Sequence, residues 1–396
     1  MPPRATPLVL HPPSARHASL PQVLPSVAAS MGVPGFGPAD NTLGLAPARS
    51  SVVVLIDGLG ERLLRRRSGH APFLRSLLAA GASLECGFPA TTATSLASLG
   101  TGLTAGGHGL LGYQLRIPGS DRLFDHLSWE GGPDPLAWQP SSTIFERVVG
   151  ADVDVVRIGL GRFDGSGLTT AALRGGRYVA AASLAQGVRA ALAALRRSPS
   201  VLVYLYWGEV DRVGHGHGCG SREWGAALEE VDAELRRLAE RLPAHASMHV
   251  TADHGMVDVP FGQRLDLAVD TELAAGVHLV AGEPRAPQLY CQPGAAADVA
   301  ATWRSRFGER ALIRLKGEAI ADGWFGPFAE RNADRLGDVL IAFDESLAVE
   351  DSRTSKPVLL TLLGMHGSMT LDEVTVPLLS VPAALEPEAA PMSVEG

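Results

Sequence analysis

Two short segments of the chain are continuous apolar runs and a third, shorter segment is predicted as a strand beside them, with a polar residue or a glycine soon after each. They are residues 51–56 (SVVVLI), 201–206 (VLVYLY) and the shorter 249–251 (HVT). Continuous apolar runs of this kind are typical of strands buried on both faces, as in a parallel sheet. Between the last two runs, apolar residues recur at steps of three and four from Trp224 to Leu242, which predicts an amphipathic helix. This alternation indicates an α/β fold with a mostly parallel central sheet flanked by helices.

Changes in composition predict four parts in the chain. A Pro-rich arm and a short helix come first, a core follows that is interrupted by an insert, and a loose tail ends the chain. The predicted boundaries are 1–49 for the arm and short helix, 50–261 and 356–382 for a metal-binding α/β core, 262–355 for the insert or cap, and 383–396 for the tail.

The insert is predicted to be a smaller α/β unit. Its short apolar runs at 277–280, 288–291 and 311–315 predict strands. After the insert, the runs 357–363 (PVLLTLL) and 374–381 (VTVPLLSV) predict two strands that return to the core.

Composition and charge narrow the class of protein. The 396 residues are 46% hydrophobic and 19% charged, which is enough for a large buried core. No stretch offers the roughly 18 apolar residues of a membrane span, so no membrane partner is expected. The net charge of −8 is negative, whereas a protein that binds duplex nucleic acid usually carries a basic surface, so no such partner is expected. Three cysteines without a CxxC pair, and an N-terminus without a continuous apolar signal segment, favour a cytoplasmic protein.

Acidic and imidazole side chains collect where the predicted strands end. They are Asp57 after the first strand, Asp211 and His215 after the second, Asp253 and His254 after the third, and His366 after the run 358–363. Because ligands of open parallel sheets bind outside the carboxyl ends of the strands, we expect these side chains to meet. Their oxygen and nitrogen atoms suit two divalent ions, with Zn²⁺ as the first choice and Mn²⁺ as the alternative. Each residue taken alone is better explained as a turn, cap or packing residue, whereas the pair Asp253-His254 favours a ligand role, so the joint pattern carries the prediction.

A segment rich in hydroxyl residues, 88–95 (FPATTATS), enters a predicted helix. The N-terminus of a helix favours a phosphate, but Ser and Thr are also ordinary N-caps, so the segment alone leaves both interpretations open. A metal ion beside a threonine would lower the pKa of its hydroxyl and turn it into a nucleophile.

In their order along the chain, these motifs resemble the alkaline phosphatase superfamily. The pieces are Asp57-Gly58, the Thr-rich turn, Thr101-Gly102 followed by His108-Gly109, Asp211 with His215, Asp253-His254-Gly255-Met256, and His366. Within this superfamily the chain most resembles the type I phosphodiesterase/nucleotide pyrophosphatase family, over roughly residues 50–380.

The resemblance implies roles for particular residues. The nucleophile of the family stands nine residues before the Thr-Gly pair, which selects Thr92 over Thr91 and Thr94. The implied ligands are Asp57, Thr92, Asp253 and His254 for one metal, and Asp211, His215 and His366 for the other. His108 and His217 lie outside that scheme.

The chain departs from the family pattern at one position. The family usually carries an Asn a few residues after the His-Gly pair, where its amide contacts a phosphate oxygen. Here Tyr113 holds that place, with Gln114 beside it. Tyr113 is therefore the predicted substrate-binding residue, and the substrate class is less constrained than the metal site.

The resemblance implies a hydrolase of phosphodiester or nucleotide pyrophosphate bonds in small anionic phosphoesters. Thr92 would attack phosphorus, and a phosphothreonine intermediate would then be hydrolysed. Two alternatives stay open, namely a phosphonate or phosphomonoester hydrolase with the same site, and a non-catalytic binding protein of the same fold. In the insert, Trp324 and Phe325 are interpreted either as packing residues or as a platform for a base.

Overall fold

The computed structural model describes residues 18–344 and 346–384. Most of the predicted Pro-rich arm and of the predicted tail at 383–396 lies outside the described residues. The short helix predicted after the arm is present as Val23–Ser30. Among the described residues, no helix combines the length and the apolar character needed to cross a membrane.

The described residues form 17 strands. In chain order they are β1 Ser50–Ile56, β2 Ala82–Glu85, β3 Gln114–Arg116, β4 Leu123–Asp125, β5 Asp154–Gly159, β6 Arg177–Ala180, β7 Val201–Trp207, β8 Ala246–Thr251, β9 Val257–Asp258, β10 Arg264–Asp266, β11 Val277–Glu283, β12 Ala286–Cys291, β13 Ala311–Leu315, β14 Val339–Phe343, β15 Ala348–Glu350, β16 Gly364–Met365 and β17 Thr375–Val381.

The same residues form 15 α-helices, besides short 3₁₀ turns. They are α1 Val23–Ser30, α2 Glu61–Arg66, α3 Pro72–Leu77, α4 Thr92–Thr101, α5 Ala105–His108, α6 Pro135–Trp138, α7 Ile144–Val149, α8 Gly167–Leu173, α9 Leu184–Arg197, α10 Glu209–His217, α11 Arg222–Glu240, α12 Thr271–Ala274, α13 Ala296–Phe307, α14 Lys316–Ala321 and α15 Leu371–Val374.

A seven-stranded sheet forms the centre of the molecule, in the order β2-β17-β8-β1-β7-β5-β6. β1 pairs in parallel with both β7 and β8, while β17 runs antiparallel between β8 and β2. The three strands predicted from apolar runs are therefore neighbours, and all three end at the same edge. The predicted α/β fold with a mostly parallel central sheet is confirmed.

Burial explains why these segments fold as they do. Every residue of β1 is buried, as expected for a central strand covered on both faces. Ser221 is the N-cap of α11, and its side chain accepts a hydrogen bond from the amide of Trp224. Its apolar stripe is fully buried, at Trp224, Leu228, Val231, Leu235 and Leu238. The helix predicted from that stripe is confirmed.

A second sheet lies in the region of the predicted insert. Its strand order is β11-β12-β14-β13, all pairs are antiparallel, and it has a hydrophobic cluster of its own around Trp303 and Phe343. The strands predicted at 277–280, 288–291 and 311–315 are confirmed as β11, β12 and β13. The boundaries of the four predicted parts stay a prediction.

Trp324 and Phe325 are buried, with 1% and 2% of their surface exposed. Their ring centroids lie 5.2 Å and 5.7 Å from that of Phe88, which precedes the Thr-rich turn. Core packing is thus confirmed as the interpretation of these two rings.

The prediction of a strand at 357–363 is wrong. These residues form a turn of 3₁₀ helix, Leu359–Thr361, flanked by irregular chain. Their backbone groups bond elsewhere, since the Arg264 guanidinium donates to the carbonyls of Leu360 and Leu362, and the Leu363 amide donates to the carbonyl of His215. A short apolar run cannot reveal such competition for its backbone. The other strand of this region is confirmed as β17.

Candidate active site

The seven predicted site residues other than Tyr113 lie at one edge of the central sheet. Asp57 follows β1, Asp211 lies in the first turn of α10 after β7, His215 lies one turn further along α10, Asp253 and His254 follow β8, His366 follows β16, and Thr92 is the first residue of α4. The edge is the carboxyl end of the parallel strands, where open α/β sheets bind their ligands.

The hydroxyl of Thr92 is in contact with His254. Thr92 Oγ1 lies 3.2 Å from His254 Nε2. The same nitrogen lies 3.4 Å from Asp57 Oδ1 and 3.6 Å from Asp253 Oδ2. Asp57, Asp253 and His254 each offer a ligand atom within 4.8 Å of the other two, and all three side chains are buried.

A second group of ligand atoms adjoins the first. Asp211 Oδ1 lies 3.4 Å from His215 Nε2 and 3.9 Å from His366 Nε2. Asp211, His254 and His366 offer ligand atoms within 4.8 Å of one another. His254 therefore belongs to both groups, and its ring stacks on that of His366 with the centroids 3.7 Å apart.

The three imidazoles are oriented by backbone carbonyls. The Nδ1 atoms of His215, His254 and His366 lie 2.7 Å, 2.9 Å and 2.8 Å from the carbonyl oxygens of Gly364, Gly255 and Ala90, respectively. Because a carbonyl oxygen only accepts hydrogen bonds, each Nδ1 carries the proton of the neutral ring. Each Nε2 then presents a lone pair to the site, and hydrogen bonds from Nδ1 to carbonyl oxygens are the contacts that orient metal-binding histidines.

Three carboxylate oxygens in this region have no hydrogen-bond donor among the described residues. They are Asp57 Oδ1, Asp211 Oδ1 and Asp253 Oδ2, and all are buried. Buried charged oxygens without a donor are costly unless a cation compensates them. Together with the three imidazole nitrogens, they form the donor set that borderline divalent ions prefer. The residues present fit metal binding.

Electrostatics point the same way. Burial and the nearby carboxylates of Asp253 and Asp211 raise the pKa of Asp57 well above its usual value. Burial also raises the pKa of Asp253. Burial and the imidazoles of His254 and His215 lower the pKa of His366 well below its usual value. The cluster thus combines carboxylates that repel one another with an imidazole that resists protonation.

Sequence reasoning missed Tyr206, whose hydroxyl donates a short hydrogen bond to Asp57 Oδ2. Tyr206 lies on β7, and Tyr204 precedes it by two residues on the same face of the strand. The signal was present, because the run 201–206 is apolar except for these two hydroxyls at a spacing of two.

Gly58 is required by the approach of α10 to the end of β1. Its φ is +72°, and a Cβ atom placed on it would lie 2.9 Å from the Cβ of Asp211. Its amide donates to Asp253 Oδ1 at 3.0 Å. Gly58 therefore allows Asp211 and Asp253 to come close to each other.

Tyr113 is already engaged within the protein. Its hydroxyl donates to Asp125 Oδ2 at 2.9 Å, and its amide donates to Glu283 Oε1 at 2.6 Å. It lines a cavity of about 260 Å³ between the β3–β4 hairpin, β11 and the segment 349–360.

Glu283, at the end of β11, is a second residue that sequence reasoning missed. It is 4% exposed, and burial raises its pKa to about 7, opposed by the nearby Thr91 side chain and by the hydrogen bond from the Tyr113 amide. Through Glu283, the insert region therefore lies close to Thr91, the residue before Thr92. Its position depends on how the second sheet packs on the first, which no local sequence pattern encodes.

The two histidines that the resemblance left outside the site do lie outside both groups of ligand atoms. His108 is fully buried, and its Nε2 lies 3.0 Å from Ser98 Oγ. His217 is exposed at the end of α10.

A cavity of about 300 Å³ opens beside Asp57, Thr92 and Asp211. Its walls are largely aliphatic and aromatic, with Leu96, Leu160, Phe163, Leu168, Leu173 and Tyr206 among them. Such a pocket next to a polar centre has the size and chemistry to hold an organic group.

Over residues 51–369, the chain matches the family described as type I phosphodiesterase/nucleotide pyrophosphatase. The chain belongs to this family. It is a hydrolase, and the resemblance found in the motifs is confirmed. The family is metal-dependent, in agreement with the donor set described above. No curated protein matches the chain at a significant level in sequence.

Several solved structures of the family's fold are similar to this protein. Murine ectonucleotide pyrophosphatase/phosphodiesterase 5 matches with a TM-score of 0.65 and 18% identity, over 83% of this chain and 87% of its own. The human protein of the same name matches with 0.65 and 17%, over 84% and 88%. Phosphonoacetate hydrolase from Sinorhizobium meliloti 1021 matches with 0.66 and 18%, over 87% and 92%. At these identities the likeness shows a shared fold.

Proposed function

We propose that this protein hydrolyses phosphodiester or pyrophosphate bonds of small phosphate esters through a threonine nucleophile and two divalent ions. The observation that carries the proposal is the contact between Thr92 Oγ1 and His254 Nε2, at the point where the two groups of ligand atoms meet. Asp57, Thr92, Asp253 and His254 would hold one ion, and Asp211, His215 and His366 the other. Zn²⁺ is the first choice and Mn²⁺ the alternative.

In the proposed reaction, Thr92 Oγ1 attacks phosphorus, and the bond from phosphorus to the leaving ester oxygen breaks. A water oxygen then attacks the phosphothreonine, and Thr92 recovers its hydroxyl while the phosphate product leaves. When bound, the two ions supply the positive charge that lowers the pKa of the threonine hydroxyl and stabilises the leaving oxygen. The carbonyl contacts of the three imidazoles keep each Nε2 directed at this centre.

The cavity beside Thr92 supports an ester that carries an organic group of moderate size. An inactive variant of the murine neighbour was solved in complex with AMP, which is consistent with a nucleotide ester as the substrate. The second candidate is phosphonate hydrolysis with the same residues. It is supported by the bacterial neighbour, a phosphonoacetate hydrolase solved in complex with phosphonoacetate.

The first experiment measures metal content and turnover on the same purified protein. We expect about two ions per chain, together with hydrolysis of bis-p-nitrophenyl phosphate that a chelator removes and added metal restores. Turnover of p-nitrophenyl phosphate should be slower. Two ions with cleavage of phosphonoacetate and no diester turnover would support the second candidate. Protein without metal and without activity would contradict both.

The nucleophile is tested by a series of threonine variants. Thr92→Ala should lower kcat by about a thousandfold or more, because no other group replaces the attacking oxygen. Its metal content and its circular dichroism spectrum should change little. Thr94→Ala is the matched control, since Thr94 Oγ1 donates to the carbonyl of Leu110. Full activity of Thr92→Ala, together with loss of activity in Thr91→Ala, would show that Thr92 is not the nucleophile.

Substrate binding by Tyr113 stays a prediction. A contact between Tyr113 and a phosphate oxygen would require the Tyr113 hydroxyl to exchange its bond with Asp125 for one with the substrate. The cytoplasmic location stays a prediction from the sequence.

A further inference from the structure

Two polar groups that line the cavity beside Thr92 have no hydrogen-bond partner among the described residues. They are the hydroxyl of Tyr204, a side chain that is only 2% exposed, and Nε of Arg157. Neither group takes part in the metal centre or in the proposed reaction. Buried hydrogen-bond donors are normally paired, so we expect a bound molecule to supply an acceptor for both groups.

The two residues are neighbours in the sheet. β5 and β7 pair in parallel with Arg157 beside Tyr204, and β5 pairs with β6 with Arg157 beside Tyr178. Tyr178, Arg157 and Tyr204 therefore form a row across three strands on one face of the sheet, which we call the polar row. Tyr206 lies two residues further along β7 and contacts Asp57. With a rise of about 3.3 Å per residue, the polar row lies roughly 7 Å from Tyr206 along the strand direction, on the side away from the carboxyl end of β7.

The rest of the polar row does not neutralise Arg157. The Tyr178 hydroxyl donates to the carbonyl of Leu160 at 2.8 Å, and its ring lies beneath the guanidinium with 5.6 Å between them. Arg157 Nη2 reaches the carbonyl of Gly176 at 3.4 Å. Among the described residues, no carboxylate lies within ion-pair distance of Arg157, and the charge of Asp164 acts on it only at longer range.

Much of the remaining wall of this cavity is apolar. Leu96 of α4, Leu168 and Leu173 of α8, and the ring of Phe163 line it. An aromatic ring fits both this lining and the distance of about 7 Å from Tyr206 to the polar row. A group on the far side of that ring would meet Arg157 and Tyr204.

We infer that the polar row recognises a carboxylate carried by the substrate's organic group, about one aromatic ring away from the scissile phosphorus. This inference rests on the proposed function and specifies its substrate class as a phosphoester or phosphonate of an aromatic carboxylate. Arg157 Nε and the Tyr204 hydroxyl each donate to a carboxylate oxygen, and the carboxylate supplies the counter-charge that the guanidinium lacks. Burial, together with the negative charges of Asp253 and Asp57, raises the pKa of Tyr204 well above its usual value, so its hydroxyl keeps the proton that it donates.

The test compares two competitive inhibitors that differ in one group. Phenylphosphonate and 4-carboxyphenylphosphonate offer the same phosphonate to the metal centre, so the ratio of their inhibition constants measures the carboxylate alone. We expect 4-carboxyphenylphosphonate to bind about tenfold more tightly to the metal-loaded protein. Arg157→Met should bring the ratio close to one, and Tyr204→Phe should lower it by about threefold.

Arg177→Met is the matched control. Arg177 lies on β6 next to Tyr178, so its side chain is on the opposite face of the strand, where it is exposed. This variant should keep the ratio of the unmodified protein. If Arg157→Met does not fold, Tyr204→Phe still provides the test, because it removes a single oxygen atom.

Equal inhibition constants for the two phosphonates in the unmodified protein would overturn the inference, as would an unchanged ratio in Arg157→Met or Tyr204→Phe. Failure of the proposed function is distinguishable. If the protein hydrolyses no ester, the two phosphonates are compared by calorimetry, where a preference lost in Arg157→Met would support the polar row without the activity. If the protein hydrolyses esters but binds the two phosphonates equally well, the proposed function stands and only the role of the polar row is wrong.

Discussion

At the scale of single residues, the two oxygens of Asp57 have different surroundings. Oδ2 accepts a short hydrogen bond from the Tyr206 hydroxyl, whereas Oδ1 has no donor and lies 3.4 Å from His254 Nε2. Tyr206 thus fixes the orientation of the carboxylate and leaves its other oxygen available. Such outer contacts orient the ligands of a metal and raise its affinity.

Removing the Tyr206 hydroxyl should therefore weaken metal binding. We expect Tyr206→Phe to lower metal affinity by about tenfold or more, because the orienting donor of Asp57 is lost. Competition with a chromogenic chelator measures this affinity. Tyr204→Phe, two residues earlier on the same strand, is the control and should bind metal as tightly as the unmodified protein. Equal affinities in both variants would show that Tyr206 does not orient Asp57.

The sequence allowed part of this site to be predicted at residue level, and the reason is topological. Asp57 and Asp211 follow strands that were recognisable from their apolar runs, Asp253 follows a shorter predicted strand, and parallel neighbours end at one edge. Glu283 could not be predicted in the same way. It reaches the vicinity of Thr92 only because the second sheet packs against the first, and this packing depends on contacts far apart in sequence.

At the scale of elements, long regular patterns were more informative than short runs. α11 was predictable because its apolar stripe extends over five turns, and β1 because all of its residues are buried. The prediction of a strand at 357–363 was wrong because the backbone groups of this run form hydrogen bonds with other elements. The most prominent donor is the guanidinium of Arg264.

β8 carries a buried histidine that makes stability depend on pH. His249 is 2% exposed between the hydroxyls of Ser247 and Ser380, and burial lowers its pKa to about 4. In the unfolded chain its pKa is about 6.5. Because the folded value is the lower one, its contribution is fully present above pH 6.5 and is lost as the pH falls towards 4.

At pH 4.5, protonation of His249 in the unfolded chain should cost about 2 kcal/mol of stability relative to pH 7. His249→Gln keeps a polar side chain that does not titrate, so its loss of stability between pH 7 and 4.5 should be smaller by that amount. Urea unfolding of chelator-treated protein at the two pH values measures the difference. Parallel pH profiles for the two proteins would contradict the assignment.

At the scale of the whole molecule, a buried ion pair joins the second sheet region to the core. Arg285 and Glu373 are both fully buried, with Nε–Oε1 and Nη2–Oε2 distances of 2.7 Å and 2.8 Å. Glu373 also accepts from the amide of Ser368 and the hydroxyl of Thr370, and its own carbonyl accepts from the amide of Gly255. The pair therefore supports the loops that carry His254 and His366.

Arg285→Met should destabilise the protein by roughly 3–5 kcal/mol, because it leaves the Glu373 carboxylate buried without its cation. The free energy of unfolding in urea gives the value. Replacing both partners, as in Arg285→Met with Glu373→Gln, should cost less than the single change, since no charge is then left unpaired. The exposed pair Arg236–Glu240 is the control, and Arg236→Met should change stability little. A double variant that is less stable than Arg285→Met would contradict this account.

β17 is the last strand of the described chain, yet it lies between β2 and β8 in the central sheet. While the protein is being synthesised, β8 therefore has an open, apolar edge, and β2 lacks its sheet partner, until residues 375–381 have left the ribosome. Open edges of this kind invite pairing with other chains. His366 emerges shortly before β17, so the cluster of carboxylates and imidazoles is also completed only after Asp57, Asp211 and His254 have been made. The nascent chain must therefore be kept from associating from the emergence of β8 until that of β17, when the central sheet closes.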